Sequence, residues 1–376
     1  MIAAENKRSG LELEKKGANT IYFLFGISLL CFLLVRVLPK KSDSHLVLEM
    51  KEASNLMARA LGALSECRTE ESGWDELDLD KPTPRDAVLG REMSSITTSL
   101  GSLSSKKTSI DPNFAGLLVF LLNEAGVKPH DSIAVGASGS FPALLIATLA
   151  AARTMKVHPL WICSLGASQW GANDPDFHWL RMWSCLKEKD IFSVDPLAVS
   201  LGGEGDIGGG MEAEGRGLLL KAAENSGLPF IYEPVLEKNV ALRMRLYEQA
   251  AEGKDIHVFV NIGGGIANIG TDSEILNLRP GLVKPAVIPP HEKRGVLFEM
   301  AHRGINIIHL LYMKGLSTRY GIAWNPEVLP RPGESEIYKL AGRKSWLFFV
   351  AVIFYISVVF VAMIRMEVIR RRYWME

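Results

Sequence analysis

The sequence predicts an α/β protein: a mostly parallel sheet with helices on both faces, Rossmann-like and three-layered, flanked by two transmembrane helices. Three observations lead there. Through the middle of the chain, short apolar runs of strand length alternate with longer helical stretches. The short runs are almost continuously apolar, as burial on both faces of a parallel sheet requires. Two long apolar stretches stand near the ends of the 376-residue chain.

The first end stretch, residues 20–38, reads TIYFLFGISLLCFLLVRVL. Its length suits ~30 Å of hydrocarbon. No A-x-A site follows it, so it does not read as a cleaved signal. The second, WLFFVAVIFYISVVFVAMI over 346–364, has no charged residue, and its span is placed at 345–364. Lys7, Arg8, Lys15 and Lys16 precede the first span; Arg36, Lys40 and Lys41 follow it. Lys339, Arg343 and Lys344 precede the second; Arg365, Arg370, Arg371 and Arg372 follow it. Both asymmetries, four against three, put the termini in the cytoplasm and residues 40–344 outside. Trp346, Tyr373 and Trp374 suit the interfacial belt. The expected order is a cytoplasmic tail over 1–19, a span over 20–38 and a helical or loop connection over 39–111. An α/β domain follows over 112–344, then the span over 345–364 and a basic cytoplasmic tail over 365–376.

Charge is balanced, with 42 basic and 42 acidic residues, so no global field recruits nucleic acid. Of four cysteines, Cys31 falls in a span. Cys67, Cys163 and Cys185 show no metal spacing and read as buried or idle thiols, with one disulfide as the alternative. No metal is expected.

In the connection, residues 44–66 carry Leu46, Met50, Ala53, Met57, Ala60, Leu61 and Leu64 at helical spacing, with Ser44 as cap. CRTEESGWDELDLDKPTPRDAVLG reads as surface loop. REMSSITTSLGSLSSKKTSI, rich in Ser and Thr, reads as weakly ordered, with its position leaving open a loop near a site. From residue 112 the alternation is regular. PNFAGLLVFLLNEAGV is a helix, DSIAVGAS a strand, and FPALLIATLAAARTM a helix with Pro142 in its first turn. HPLWICSLG, PLAVSLGG, LPFIYEP and DIHVFVNIGGG are strands. DPDFHWLRMWSCLKEK, MEAEGRGLLLKAAENSG and LEKNVALRMRLYEQAAEG are the helices between them. In HRGINIIHLL, His302 and His309 stand seven apart, as on one helical face, and read as structural.

Four strands run into small-residue loops: GASGS, LGASQWGAND, SLGGEGDIGGG and NIGGGIANIG. Strand carboxyl ends are where open α/β sheets bind ligands, and exposed N–H groups at helix starts favour anions. The expected ligand-binding set is Ser138, Gly139, Ser140, Ser168, Asn173, Asp206, Arg216, Gly263, Gly264 and Gly265. No loop matches G-x-G-x-x-G with its acidic partner or G-x-x-x-x-G-K-[ST], so no nucleotide cofactor is expected. GASGS departs from the G-x-S-x-G elbow at its last glycine, yet Ser138 and Ser140 remain candidate nucleophiles at a helix start. A serine needs a base; His178 and His257 are the candidates, with Asp174, Asp206 or Asp131 to orient them. Asp206 is itself a catalytic candidate. Arg216 could clamp a carboxylate, or simply pair with Glu212 one helical turn away.

SGSFPALL, SLGASQWGAND, SLGGEGDIGGGMEAEGRGLL and NIGGGIANIG, set between two terminal apolar stretches, resemble the bacterial poly-γ-glutamate system protein family. The resemblance covers about residues 15–370. It implies a component of the cell (inner) membrane that serves synthesis, processing or export of poly-γ-glutamate. Its partners would be the lipid bilayer, poly-γ-glutamate or a glutamyl ligand, and other membrane subunits. Arg181, Arg216, Lys106 and Lys107 could supply local positive charge. Two alternatives stand beside ligand binding. One is an extracytoplasmic serine hydrolase or transferase acting on γ-glutamyl or peptide bonds. The other is a non-catalytic assembly scaffold whose first span pairs through Gly26, Ser28 and Cys31.

Overall fold

The computed structural model describes residues 22–31, 44–72, 86–341 and 346–373. The expected N-terminal tail, residues 32–38 of the first span and residues 374–376 of the C-terminal tail, with Arg36, Lys40, Lys41, Arg343 and Lys344, lie outside the described residues, while 365–373 of the expected basic tail continue the second helix. The chain divides into two units, Ser44–Ala341 and the two ends together.

In the unit of the two ends, residues 22–31 are helical and a second helix runs Trp346–Tyr373. Ser28 Oγ donates to Tyr355 Oη across them at 3.1 Å. Phe23, Phe25, Leu30, Ile353, Phe354 and Phe360 are exposed. Among the described residues, no helix is long and apolar enough to cross a membrane.

The larger unit is built on a seven-stranded sheet. Its strands are β1 Ser132–Ser138, β2 His158–Ser164, β3 Ala198–Ser200, β4 Phe230–Ile231, β5 Ile256–Ile262, β6 Gly281–Val283 and β7 Asn306–Leu310. Their order is β6-β7-β5-β1-β2-β3-β4, parallel throughout except for β6 at the edge. Strand residues alternate between two cores. Ile133, Val135 and Ala137 of β1 join Trp161, Val199, Val260 and Ile308 on one face. Ala134, Ile162, Ala198, Phe259 and Ile307 point to the other.

The first face is covered by α1 Ser44–Ser72, α3 Asn113–Glu124, α4 Pro142–Met155, α5 Trp179–Glu188 and α6 Ala213–Ser226. Between α1 and α3 lies the seven-residue α2, Leu103–Ser109. The second face is covered by α7 Leu236–Ala250 and α8 Val296–His302. The spacing read in residues 44–66 puts Met50, Ala53, Met57, Ala60, Leu61 and Leu64 fully inside, so α1 is part of this unit and not a separate connection. Pro142 opens α4, where its missing N–H has no partner to lose.

Three expectations change. Cys67 at the end of α1 and Cys185 in α5 form a disulfide, 118 residues apart in sequence, while Cys163 stays a buried free thiol. INIIHL is strand β7, not helix: His302 ends α8 and His309 sits in β7, so they share no face. The Ser/Thr-rich segment is ordered: Thr97–Ser99 is a strand parallel to Ala167–Ser168, and LSSKKTS folds into α2 behind the Ser102 cap.

Candidate functional site

The chain runs outward from β1 through β2 and β3 to β4, then crosses back to β5 beside β1. The sheet divides between β1 and β5, and the loops after these strands part there, as at the ligand crevice of open α/β sheets. Ser138–Phe141 leaves β1 into α4; Gly263–Gly265 leaves β5. Gly263 has φ +81°, and a Cβ there would stand 2.6 Å from Ser138 Oγ, so only glycine lets the loops approach this closely. Around Gly265, Ser138 Cβ, Ser164 Oγ and Asn268 Nδ2 lie within 4 Å of the position a Cβ would take.

Several buried polar atoms here have no hydrogen-bond partner: Ser138 Oγ, Asn268 Oδ1 and Asn261 Oδ1. Such groups normally find one, because an unmade bond in a dry site costs about 1–3 kcal/mol. Asn261 Nδ2 donates to Gly263 O at 3.0 Å and to His309 Nδ1 at 3.1 Å. His309 therefore accepts at Nδ1, and burial pushes its pKa down to about 4, so the ring is neutral at pH 7.

Next to this crevice lies a second group. Lys106 of α2 is buried, with Nζ 2.9 Å from Ser168 Oγ, against Ser140 O and 3.8 Å from the centre of the Phe141 ring. Among the described residues no carboxylate pairs with it, and burial lowers its pKa from 10.5 to about 7. Ser168 N–H donates to Ser140 Oγ at 3.0 Å. The Phe141 ring also lies 3.6 Å from the position a Gly263 Cβ would take, so one residue borders both groups.

The sequence-derived residues thus separate. Ser138, Gly139, Ser140, Ser168, Gly263, Gly264 and Gly265 come together at this edge. Asn173 does not belong to it. Its amide is used up by Arg91 N, Arg91 O and Thr97 Oγ1, which clip the loop before Thr97–Ser99 in place. Asp206, in the left-handed region at φ +62°, is bound to Arg243 at 2.6 Å. Ser200 Oγ and Asn239 Nδ2 complete that buried network, so Asp206 is a structural counter-ion with no serine to activate beyond Ser200. Arg216 is half-buried, with its Nε unpartnered.

No hydrogen bond joins either histidine candidate to Ser138 or Ser140. His178 is buried, its pKa pushed down to about 4 chiefly by desolvation, and its Nδ1 has no partner. His257 pairs with Asp131 at 3.6 Å at the start of β5. That is the opposite end of the sheet, roughly 20 Å from Ser138 at ~3.3 Å per strand residue. Asp174 is held by Arg68 and Arg91. A cavity of about 680 Å³ between α5 and α6, lined by His178, Arg181, Lys187 and Lys221 among others, contains none of the glycine-loop residues. Among the described residues, no group of three His, Cys, Asp or Glu side chains could hold a metal.

In the sequence Lys106 is one of several local positive charges. Its burial beside a serine was not visible, because LSSKKTS has no apolar face to announce an inward-facing helix. Compared with known proteins, the chain matches no family model, no curated protein and no solved structure.

Proposed function

We propose that this chain is a membrane-anchored component of a bacterial poly-γ-glutamate system, and that the strand-edge site holds an anionic glutamyl segment. The observation that carries the ligand reading is the set of unpartnered buried atoms where the sheet divides. Ser138 Oγ can donate to a carboxylate, and the Asn261 and Asn268 carbonyls can each accept from an amide N–H. An amide-linked acidic chain offers both groups at every residue. Lys106, whose pKa burial lowers to about 7, supplies positive charge at the same edge only in its protonated form.

Two features support the membrane reading. Residues 20–38 and 346–364 are apolar, and the described parts of both carry exposed large apolar side chains. The Cys67–Cys185 disulfide suits an oxidising compartment, which agrees with residues 40–344 lying outside. Protease treatment of intact spheroplasts should then digest the middle of the chain while terminal tags stay protected. Protection of the middle until lysis would reverse the topology.

The ligand reading is tested by calorimetric titration of the full chain in detergent with γ-linked glutamate oligomers. Binding should weaken with salt. Ser138→Ala should weaken it roughly tenfold or more, the worth of a hydrogen bond to a charged group. No binding by the folded protein removes the reading.

A further inference from the structure

The Lys106 environment does more than attract an anion. A buried ammonium beside no carboxylate is costly, and the group relieves that cost by losing its proton. The neutral amine has two hydrogens and one lone pair. Nζ is seated on Ser140 O, to which it donates, and it also donates to Ser168 Oγ at 2.9 Å; once the ammonium has lost a proton, the same separation lets the hydroxyl donate to the Nζ lone pair instead. The geometry fits a hydroxyl donating to an amine, the arrangement of a nucleophile with its base. The backbone fixes it from both sides. The strand Thr97–Ser99 pairs with Ala167–Ser168, with Ser99 opposite Ser168, and leads through the Ser102 cap into α2. Ser140 Oγ holds the Ser168 N–H at 3.0 Å. The serine and the lysine are therefore set on two segments tied to each other and to the loop after β1.

We propose that Ser168 and Lys106 are a nucleophile–base pair that cleaves or transfers the amide held at this edge. The identity of that amide as γ-glutamyl rests on the reading above; the pair itself does not. In the first step Ser168 Oγ attacks the amide carbonyl carbon, and its proton passes to the Lys106 lone pair. The C–N bond then breaks, and the departing nitrogen leaves as an amine carrying the proton from Nζ. The acyl ester on Ser168 is resolved by water, or by the amine of a second chain. The incoming nucleophile gives its proton to Lys106, which returns it to Ser168 Oγ. The two half-reactions together return the enzyme to its starting state, with the serine a hydroxyl and the lysine neutral. Ser140 is a positioning residue, acting through the Ser168 backbone.

The assay is labelling of the full chain in detergent by a fluorophosphonate, with the modified residue located by peptide mass. An adduct on Ser168 is expected, with a rate that rises with pH through an inflection near 7. Lys106→Met should slow labelling by about 100-fold or more, the usual share of a general base, and remove the inflection. Ser168→Ala, which leaves Lys106 in place, should abolish labelling while γ-linked glutamate oligomers still bind. An adduct on Ser138 or Ser140, no adduct on folded protein, or a rate indifferent to Lys106→Met overturns the pair. Labelling at Ser168 without any binding of the oligomers keeps the pair and overturns the glutamyl reading instead.

Discussion

Two of the buried cations of the α/β unit, Arg243 and Lys106, are held in opposite ways. Arg243 stands 2.6 Å from Asp206, and Ser200 and Asn239 fill the remaining positions of that cluster. Lys106 has a carbonyl, a hydroxyl and an aromatic face, but no carboxylate. Both sit near the carboxyl ends of strands, and both are hidden from water. The first set is saturated: every charge has its opposite, and nothing is left to engage a ligand. The second is unsaturated, and its lysine titrates near neutrality. Glycine loops are common to both places; what separates a structural cluster from a chemical one here is whether the buried charge is already answered.

The comparison breaks most visibly at the saturated cluster. Asp206→Ala would strand Arg243 in a dry site, and such a loss costs about 3–5 kcal/mol. Urea unfolding at pH 7 should show it as a large fall in midpoint. A fall under about 1 kcal/mol would mean that the ion pair is not the fixed counter-ion described, and Asp206 would return as a catalytic candidate.

Much of this arrangement was legible in the sequence, for identifiable reasons. SIAVGAS and IHVFVNI are apolar over a strand's length, and burial on two faces leaves few alternatives to β1 and β5. Ser138 and Gly263 could be placed because each directly follows or ends such a run. INIIHL was misread because a short apolar run satisfies helix and strand alike, and pairing with Val258–Ile262 of β5 decides it. Asp206 looked catalytic because its glycine loop is conspicuous, while its partner Arg243 lies on α7 with no local signal. The disulfide joins two helices whose approach only the folded sheet creates. Lys106 is the same kind of case: α2 is short and polar, and its inward lysine is placed by the pairing of Ser99 with Ser168.

The smallest expected change sharpens the comparison further. Lys106→Met removes a buried charge and two polar contacts together, keeping a stem of similar length. The lost contacts destabilise and the lost desolvation stabilises, so the two oppose each other at pH 7. The pH dependence carries the sharper signature. Folding lowers the lysine pKa from 10.5 to about 7. Between those values the unfolded chain holds a proton that the folded chain has released. Unfolding then takes up a proton, so the stability of the parent rises with pH across the window. Below about pH 7 both states are protonated, and the burial cost is present in full. Lys106→Met has no such group and should lose that part of the slope. Relative to the parent, the variant should be most stable at the acid end of the window and least stable at the alkaline end. Urea unfolding of both proteins across the window measures the difference directly. A constant difference at every pH would mean that Lys106 keeps its proton when folded, held by a counter-charge, and its site would then be a second saturated cluster like that of Arg243.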